Sequence, residues 1–174
     1  MSSLTAKDIH RLFEKLNDEL RTQSIKGEVY LVGGAVMCLV FQARESTMDV
    51  DALFKPSKRL REAAAKVGNK AGVKGDWLND GVKRFLSPKG IFQPFLELSH
   101  LRIFSAKAEY LLAMKCLAAR IGEEFHDIED IRYLLRNLNI TSYKQACQII
   151  TDYYPLERFP QKTLYLLEEL LESS

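Results

Sequence analysis

At 174 residues, with 47% hydrophobic and 28% charged residues and a formal net charge of +2, the chain has the composition of one folded domain, or of one with a small appendage, and the length to bury a substantial core. It has no low-complexity tract and no apolar run near the ~20 residues of a bilayer span, which argues against disordered and helical membrane classes. Cys38, Cys116 and Cys147 are odd in number and scattered, His10, His100 and His126 share no ligand spacing with them, and the first residues are polar, so a reduced cytoplasmic protein without structural zinc is expected.

The first helix is expected over residues 5–21, where Ile9, Leu12, Phe13, Leu16 and Leu20 fall on one face and Thr5 with Asp8 forms a start box. Ser24 to Gly27 turn the chain into a strand at Val29–Val32, which runs into Gly33-Gly34 and a short apolar helical stretch. After the loop Arg44-Glu45-Ser46-Thr47 comes Asp49-Val50-Asp51, set among apolar neighbours. Residues two apart on a strand share a face, so the two carboxylates stand side by side. Close carboxylates repel and lose solvation unless a cation or a proton relieves them. Mg²⁺ held by carboxylates and substrate phosphates is the usual relief. Glycines at a strand-to-helix turn let a phosphate approach bare backbone amides. Together these residues point to phosphoryl or nucleotidyl transfer.

A Gly-Gly turn, a short helix and an Asp-x-Asp strand, in that order, resemble the nucleotidyltransferase superfamily typified by DNA polymerase β. More narrowly, GGAVMCLVFQARESTMDVD is similar to the prokaryotic nucleotidyltransferase-like proteins related to AbiE-type toxins, which read Gly-Gly and then Arg-x-Thr/Ser-x-Asp-x-Asp. Gly33, Gly34, Arg44, Thr47, Asp49 and Asp51 match that pattern. The gap from Gly34 to Asp49 is slightly longer than the usual superfamily gap. The resemblance implies that Gly33 and Gly34 hold the triphosphate of a nucleoside triphosphate (NTP), that Asp49 and Asp51 hold Mg²⁺ in a two-metal site, and that Arg44 and Thr47 meet phosphate charge.

Lys55-Pro56-Ser57 breaks the second strand, and Ser57 is expected to cap a helix reading KRLREAAAKV. Gly68, Gly72 and Gly75 then mark a loop, and DWLNDGVKRFL reads as a short helical piece holding Trp77. The related proteins often carry Trp-Leu-Asn-Asp here, which would bring Asn79 and Asp80 to the nucleotide; a turn-capping Asp80 is the equal alternative. Ile91 to Leu98 reads as a strand that Pro94 restricts to an edge or a bulge. Its Glu97 is either a solvent-facing residue or the superfamily's third carboxylate, serving as metal ligand or base.

Leu101 to Phe104 reads as another short strand, and Ser105 as the cap of a long helix, AKAEYLLAMKCLAARI, that stops at Gly122. Leu111, Met114, Ala118 and Ile121 share its core face, and Lys115 is a charge in the middle of it. Chemistry alone makes Lys115 a snorkelling lysine. The resemblance, carried by Glu109 to Lys115, implies an ammonium near the triphosphate. Asp127 and Asp130 fall in the first turn of the next helix, where the dipole alone favours acids. The relatives' Asp-x-x-Asp implies a supporting role there, orienting Lys115 or Arg44. Two more amphipathic helices, Thr141–Tyr154 and Pro160–Leu171, close the core or form a dimer contact.

The order of elements predicts an α+β fold. A small mixed sheet would form a nucleotidyltransferase core over residues 1–104, with a helical region over 105–174 packed on it. The expected activity is Mg²⁺-dependent transfer of a nucleoside monophosphate from an NTP to a hydroxyl. Between Lys55 and Lys89, ten Lys or Arg face three acidic residues, a local charge of +7. That suits RNA, tRNA included, as the acceptor, while a protein hydroxyl or a small alcohol is also compatible. A toxin role would imply a cognate antitoxin. The competing expectation is an inactive protein of the same fold that binds nucleotide, nucleic acid or a protein partner, and the third carboxylate decides between the two.

Overall fold

The computed structural model describes residues 3–119 and 126–172. In chain order the elements are β1 (Leu4–Thr5), α1 (Ala6–Thr22), β2 (Gly27–Leu31), α2 (Gly34–Leu39), β3 (Ser46–Thr47), β4 (Val50–Lys55), α3 (Ser57–Ala71) and β5 (Leu78–Asn79). A 3₁₀ turn at Gly81–Phe85 follows, then β6 (Phe92–Glu97), β7 (Leu101–Ala106), α4 (Ala108–Ala118), α5 (Asp127–Asn137), α6 (Tyr143–Ile150) and α7 (Gln161–Glu172). The fold is α+β, as the pattern predicts. Among the described residues no helix is long and apolar enough to cross a membrane.

The chain divides into two compact units. One holds the chain through Arg84 together with Phe92–Ala106; the other holds Phe85–Ile91 together with the chain from Lys107 onward. The polypeptide therefore passes between the units three times, where a cut at 104/105 would need one passage.

The first unit is built on a five-stranded mixed sheet of order β5-β4-β2-β7-β6. β2 pairs antiparallel with β4 (Leu31 opposite Ala52, Glu28 opposite Lys55) and parallel with β7 (Gly27 opposite Leu101, Leu31 opposite Ser105). Burial alternates along the strands. Val29, Leu31, Val50, Ala52, Phe54, Leu101 and Ile103 are buried, while Glu28, Tyr30, Asp51, Leu53 and Phe104 on the opposite face are half-buried. α1 and α3 cover the buried face with Leu12, Phe13, Leu16, Leu20, Leu60, Ala64 and Val67. They press so closely that a Cβ at Gly27 would run into Leu60 and come within 3.2 Å of Leu20. Thr5 caps α1 through the predicted box: its hydroxyl accepts from the Asp8 amide at 3.1 Å, and the Asp8 carboxylate accepts from the Thr5 amide at 2.9 Å.

Several local expectations give way to tertiary packing. α3 runs through Gly68, because a Cβ there would meet the Lys74 carbonyl at 2.7 Å and Trp77 Cδ1 at 2.7 Å: the glycine serves close packing and opens no loop. Pro56 takes the N-cap place, and Ser57 is already helical. Residues 78–79 form a strand rather than a helical turn, since they pair in parallel with Val50 and Asp51, and Trp77 is locked by an indole hydrogen bond to the Ala64 carbonyl at 2.8 Å. Ser105 stays in β7, so α4 starts after Lys107; the predicted stop at Gly122 lies outside the described residues. Pro94 does sit in an edge strand with a register shift between Pro94 and Leu96, as its missing amide requires.

The second unit is helical. Tyr110 of α4 anchors the Phe85–Ile91 segment: its hydroxyl accepts from the Ser87 amide at 2.9 Å, its ring stacks on Tyr153 at 5.1 Å, and Gly90 lies so flat on it that a Cβ would collide. Leu111, Cys116, Ile131, Leu134, Ala146, Ile150, Leu164 and Leu167 fill the core.

Candidate active site at the glycine turn

β2 ends as the Val32 amide donates to the Asp51 carbonyl at 3.0 Å, which fixes the aspartate strand against the exit of β2. The chain then turns through Gly33 at φ 68° and ψ −151°, a conformation that essentially only glycine adopts. A Cβ at Gly33 would stand 3.2 Å from Asp51 Oδ2. A Cβ at Gly34 would overlap the Arg44 guanidinium and lie 2.9 Å from Thr47 Oγ1. The two glycines therefore let the chain's own Asp51, Arg44 and Thr47 close over the turn. α2 spans only six residues, so its dipole contributes little and the side chains set the chemistry.

The loop before Asp49 is tied down. Its Ser46 and Thr47 pair antiparallel with Thr5 and Leu4, a contact with no signature in the sequence beyond a β-branched Thr. Thr47, buried, donates its hydroxyl to the Asp49 carbonyl at 3.2 Å. On the far side, Asn79 lies opposite Asp51 in the β4–β5 ladder, and its amide nitrogen donates to Asp49 Oδ2 at 3.3 Å. Gly33, Gly34, Arg44, Thr47, Asp49, Asp51 and Asn79, separated by up to 46 positions in sequence, thus meet at one end of the sheet.

Within the same unit, Asp80 and Glu97 stand apart from this cluster. Asp80 does not join the cluster's hydrogen bonds: its carboxylate takes Arg61 at 2.6 Å and Lys83 at 2.8 Å. The hydrogen bond from Lys83, reinforced by the Arg61 charge and against a desolvation cost, holds it below the usual carboxylate value. Glu97 is corrected as the third carboxylate. β6 runs antiparallel to β7, so Glu97 falls opposite Arg102, in line with Glu28 and Lys55 at the other end of the sheet. That is about 13 Å along the strands and about 14 Å across three strand spacings from Asp51. It is 74% exposed and ion-paired to Arg102 Nε at 3.1 Å. At the Asp51 end, β7 finishes in Ser105-Ala106 and β6 begins in Phe92-Gln93, none of them acidic.

Lys115, Asp127 and Asp130 belong to the second unit. Lys115 is no snorkelling surface residue. Its side chain is 10% exposed, and its ammonium lies 3.2 Å from Asp127 Oδ1 and 2.7 Å from Asp130 Oδ2, whose own side chains are 6% and 4% exposed. Asp127 is the first residue of α5 rather than its cap. The two aspartates hold Lys115, the partner role expected of them.

Asp49 and Asp51 are half-buried, with Asp51 against the Gly33 turn, a donor set that fits one Mg²⁺ bound through carboxylates and completed by water and phosphate oxygens. Among the described residues no third His, Cys, Asp or Glu converges with them. Comparison with protein-family models, curated proteins and solved structures returns no match for this chain.

Proposed function

We propose that the chain is a Mg²⁺-dependent nucleotidyltransferase. The observation that carries this reading is the convergence of Asp49 and Asp51 with Arg44 and Thr47 over the Gly33-Gly34 turn. Asp49 and Asp51 would hold the ion, with Asn79 fixing the Asp49 carboxylate and Thr47 fixing its backbone. Bound Mg²⁺ would offset phosphate charge and stabilise the attacking and leaving oxygens. Arg44, a planar fork of donors, suits the phosphate oxygens of an NTP. An acceptor oxygen bonds to the α-phosphorus as the bond to the bridging oxygen breaks, pyrophosphate leaves, and the hydroxyl proton passes to solvent. No base from the end of β6 or β7 assists this step, so slow turnover follows from the reading.

RNA is the acceptor we favour, since Lys58, Arg59, Lys66 and Lys70 crowd α3 and are exposed. A second reading, a binding module without turnover, draws on the absence of a third carboxylate at the pair among the described residues. Thermal unfolding with each NTP, with and without Mg²⁺, separates binding modes. Stabilisation that needs both Mg²⁺ and the Asp49/Asp51 pair supports the enzyme site. Stabilisation that survives Asp49→Ala/Asp51→Ala without Mg²⁺ supports the module.

A further inference from the structure

At the end of the sheet away from the aspartates, a cavity of 620 Å³ opens among Lys26, Lys55, His100 and Arg102, within the about 300–1,000 Å³ of small-ligand sites. Its histidine is held from behind. The buried Asn17 of α1 accepts from the His100 amide at 2.7 Å and donates to Ser99 Oγ at 3.2 Å, and Ser99 Oγ lies 3.0 Å from His100 Nδ1. The Gly27 amide donates to the His100 carbonyl at 2.8 Å. The His100 backbone is thereby fixed at its amide and carbonyl, and its ring is held at Nδ1 by Ser99, which leaves Nε2 outside these contacts.

The carboxylates at this cavity are already engaged. Arg102 lies 3.1 Å from Glu97 and 3.7 Å from Glu28, and Glu28 also accepts from the Tyr30 hydroxyl at 3.1 Å. Among the described residues neither Lys26 nor Lys55 ion-pairs with a carboxylate; the Lys55 ammonium sits 5.6 Å from the Tyr30 ring centre. α3 starts beside the cavity residue Pro56 with no side-chain cap and no acid in its first turn, so its positive end adds to the local field.

We propose that this cavity is a second anion site, taking a phosphate group through Lys26, Lys55 and the oriented His100. Lysine ammonium groups bind phosphate as point charges and an imidazole N–H adds a directed donor. The phosphate has two sources with the same chemistry: a free polyphosphate, or the phosphodiester of a nucleic-acid strand. Asp51 and Lys55 share one face of β4 about 13 Å apart, so a strand ending at the aspartates would reach here; that last clause alone rests on the nucleotidyltransferase reading.

The test uses the full chain carrying Asp49→Ala/Asp51→Ala, which removes the carboxylates of the glycine turn, and the His100 signal with the lysine variant assigns binding to this cavity rather than to Arg44 at the turn. Pyrophosphate and a short oligouridylate are titrated separately without Mg²⁺, read by calorimetry and by the His100 ring resonances. Saturable binding that shifts His100, and weakens by ~10-fold or more in Lys26→Ala/Lys55→Ala, supports the site; pyrophosphate binding names a free polyphosphate, and binding of the oligonucleotide alone names the phosphodiester. Circular dichroism confirms that the lysine variant is folded. If neither probe moves His100, or the lysine variant binds both as tightly as its parent, the proposal falls.

Discussion

Replacing Lys115 by Met separates a structural ammonium from one that serves a ligand. Methionine has a similar length and no charge, so the packing changes little while Asp127 and Asp130 lose the Lys115 ammonium. All three side chains are at least nine-tenths buried, and the contacts are 3.2 and 2.7 Å, so water does little to screen the aspartates left behind. Removing one partner of such a pair costs about 3–5 kcal/mol, and at about 2–4 °C per kcal/mol for a chain of this size the melting temperature should fall by roughly 6–20 °C. Lys115→Met/Asp127→Asn/Asp130→Asn removes the charges of all three side chains together and should regain most of the loss. Far-UV circular dichroism on the single, double and triple variants closes the cycle and gives the coupling directly. If Lys115→Met melts with the wild type yet loses nucleotide-dependent function, the ammonium is not a clamp between α4 and α5, and the triphosphate role implied by the resemblance takes its place.

Gly33→Ala should lower stability by about 1–3 kcal/mol from its backbone conformation alone and weaken Mg²⁺-dependent NTP stabilisation through crowding of Asp51; unchanged melting and binding would show that the turn is not constrained as described. Glu97→Gln should leave Mg²⁺-dependent NTP binding intact, and a loss would return Glu97 to the metal site. Asp80 carries a pH signature. Its carboxyl is held below the ordinary 3.8, so its contribution is complete above that value and is lost as pH falls through the lower folded value. Asp80→Asn should therefore flatten the acid limb of the stability curve in that window, and an unchanged limb would show that Arg61 and Lys83 do not hold it.

Local rules made part of this molecule readable. The Thr5/Asp8 box, the glycine turn and the edge strand at Pro94 each depend on neighbours within a few positions, and each lies where the chain alone predicts, whereas of the two aspartates only Asp51 is in β4 and Asp49 lies in the bend before it. What failed depends on pairing at a distance. Alternation tells which face Glu97 takes but not which end of the sheet, and the hairpin direction of β6 against β7 carries it away from Asp51. Residues 78–79 become a strand only because β4 offers an edge. Gly68 reads as a breaker until Trp77 is seen packed against it. The Leu4–Thr5 pairing that restrains the Arg44–Asp49 loop leaves no local mark at all.

The central claim is that the residues at the glycine turn carry out nucleotidyl transfer. The most direct test incubates the protein with Mg²⁺, total cellular RNA and each α-³²P-labelled NTP in turn, beside Asp49→Ala/Asp51→Ala. The account predicts label in RNA with the wild type and none with the double variant; label on protein would keep the chemistry and change the acceptor. Absence of transfer with every nucleotide, or transfer that persists in the double variant, would contradict it.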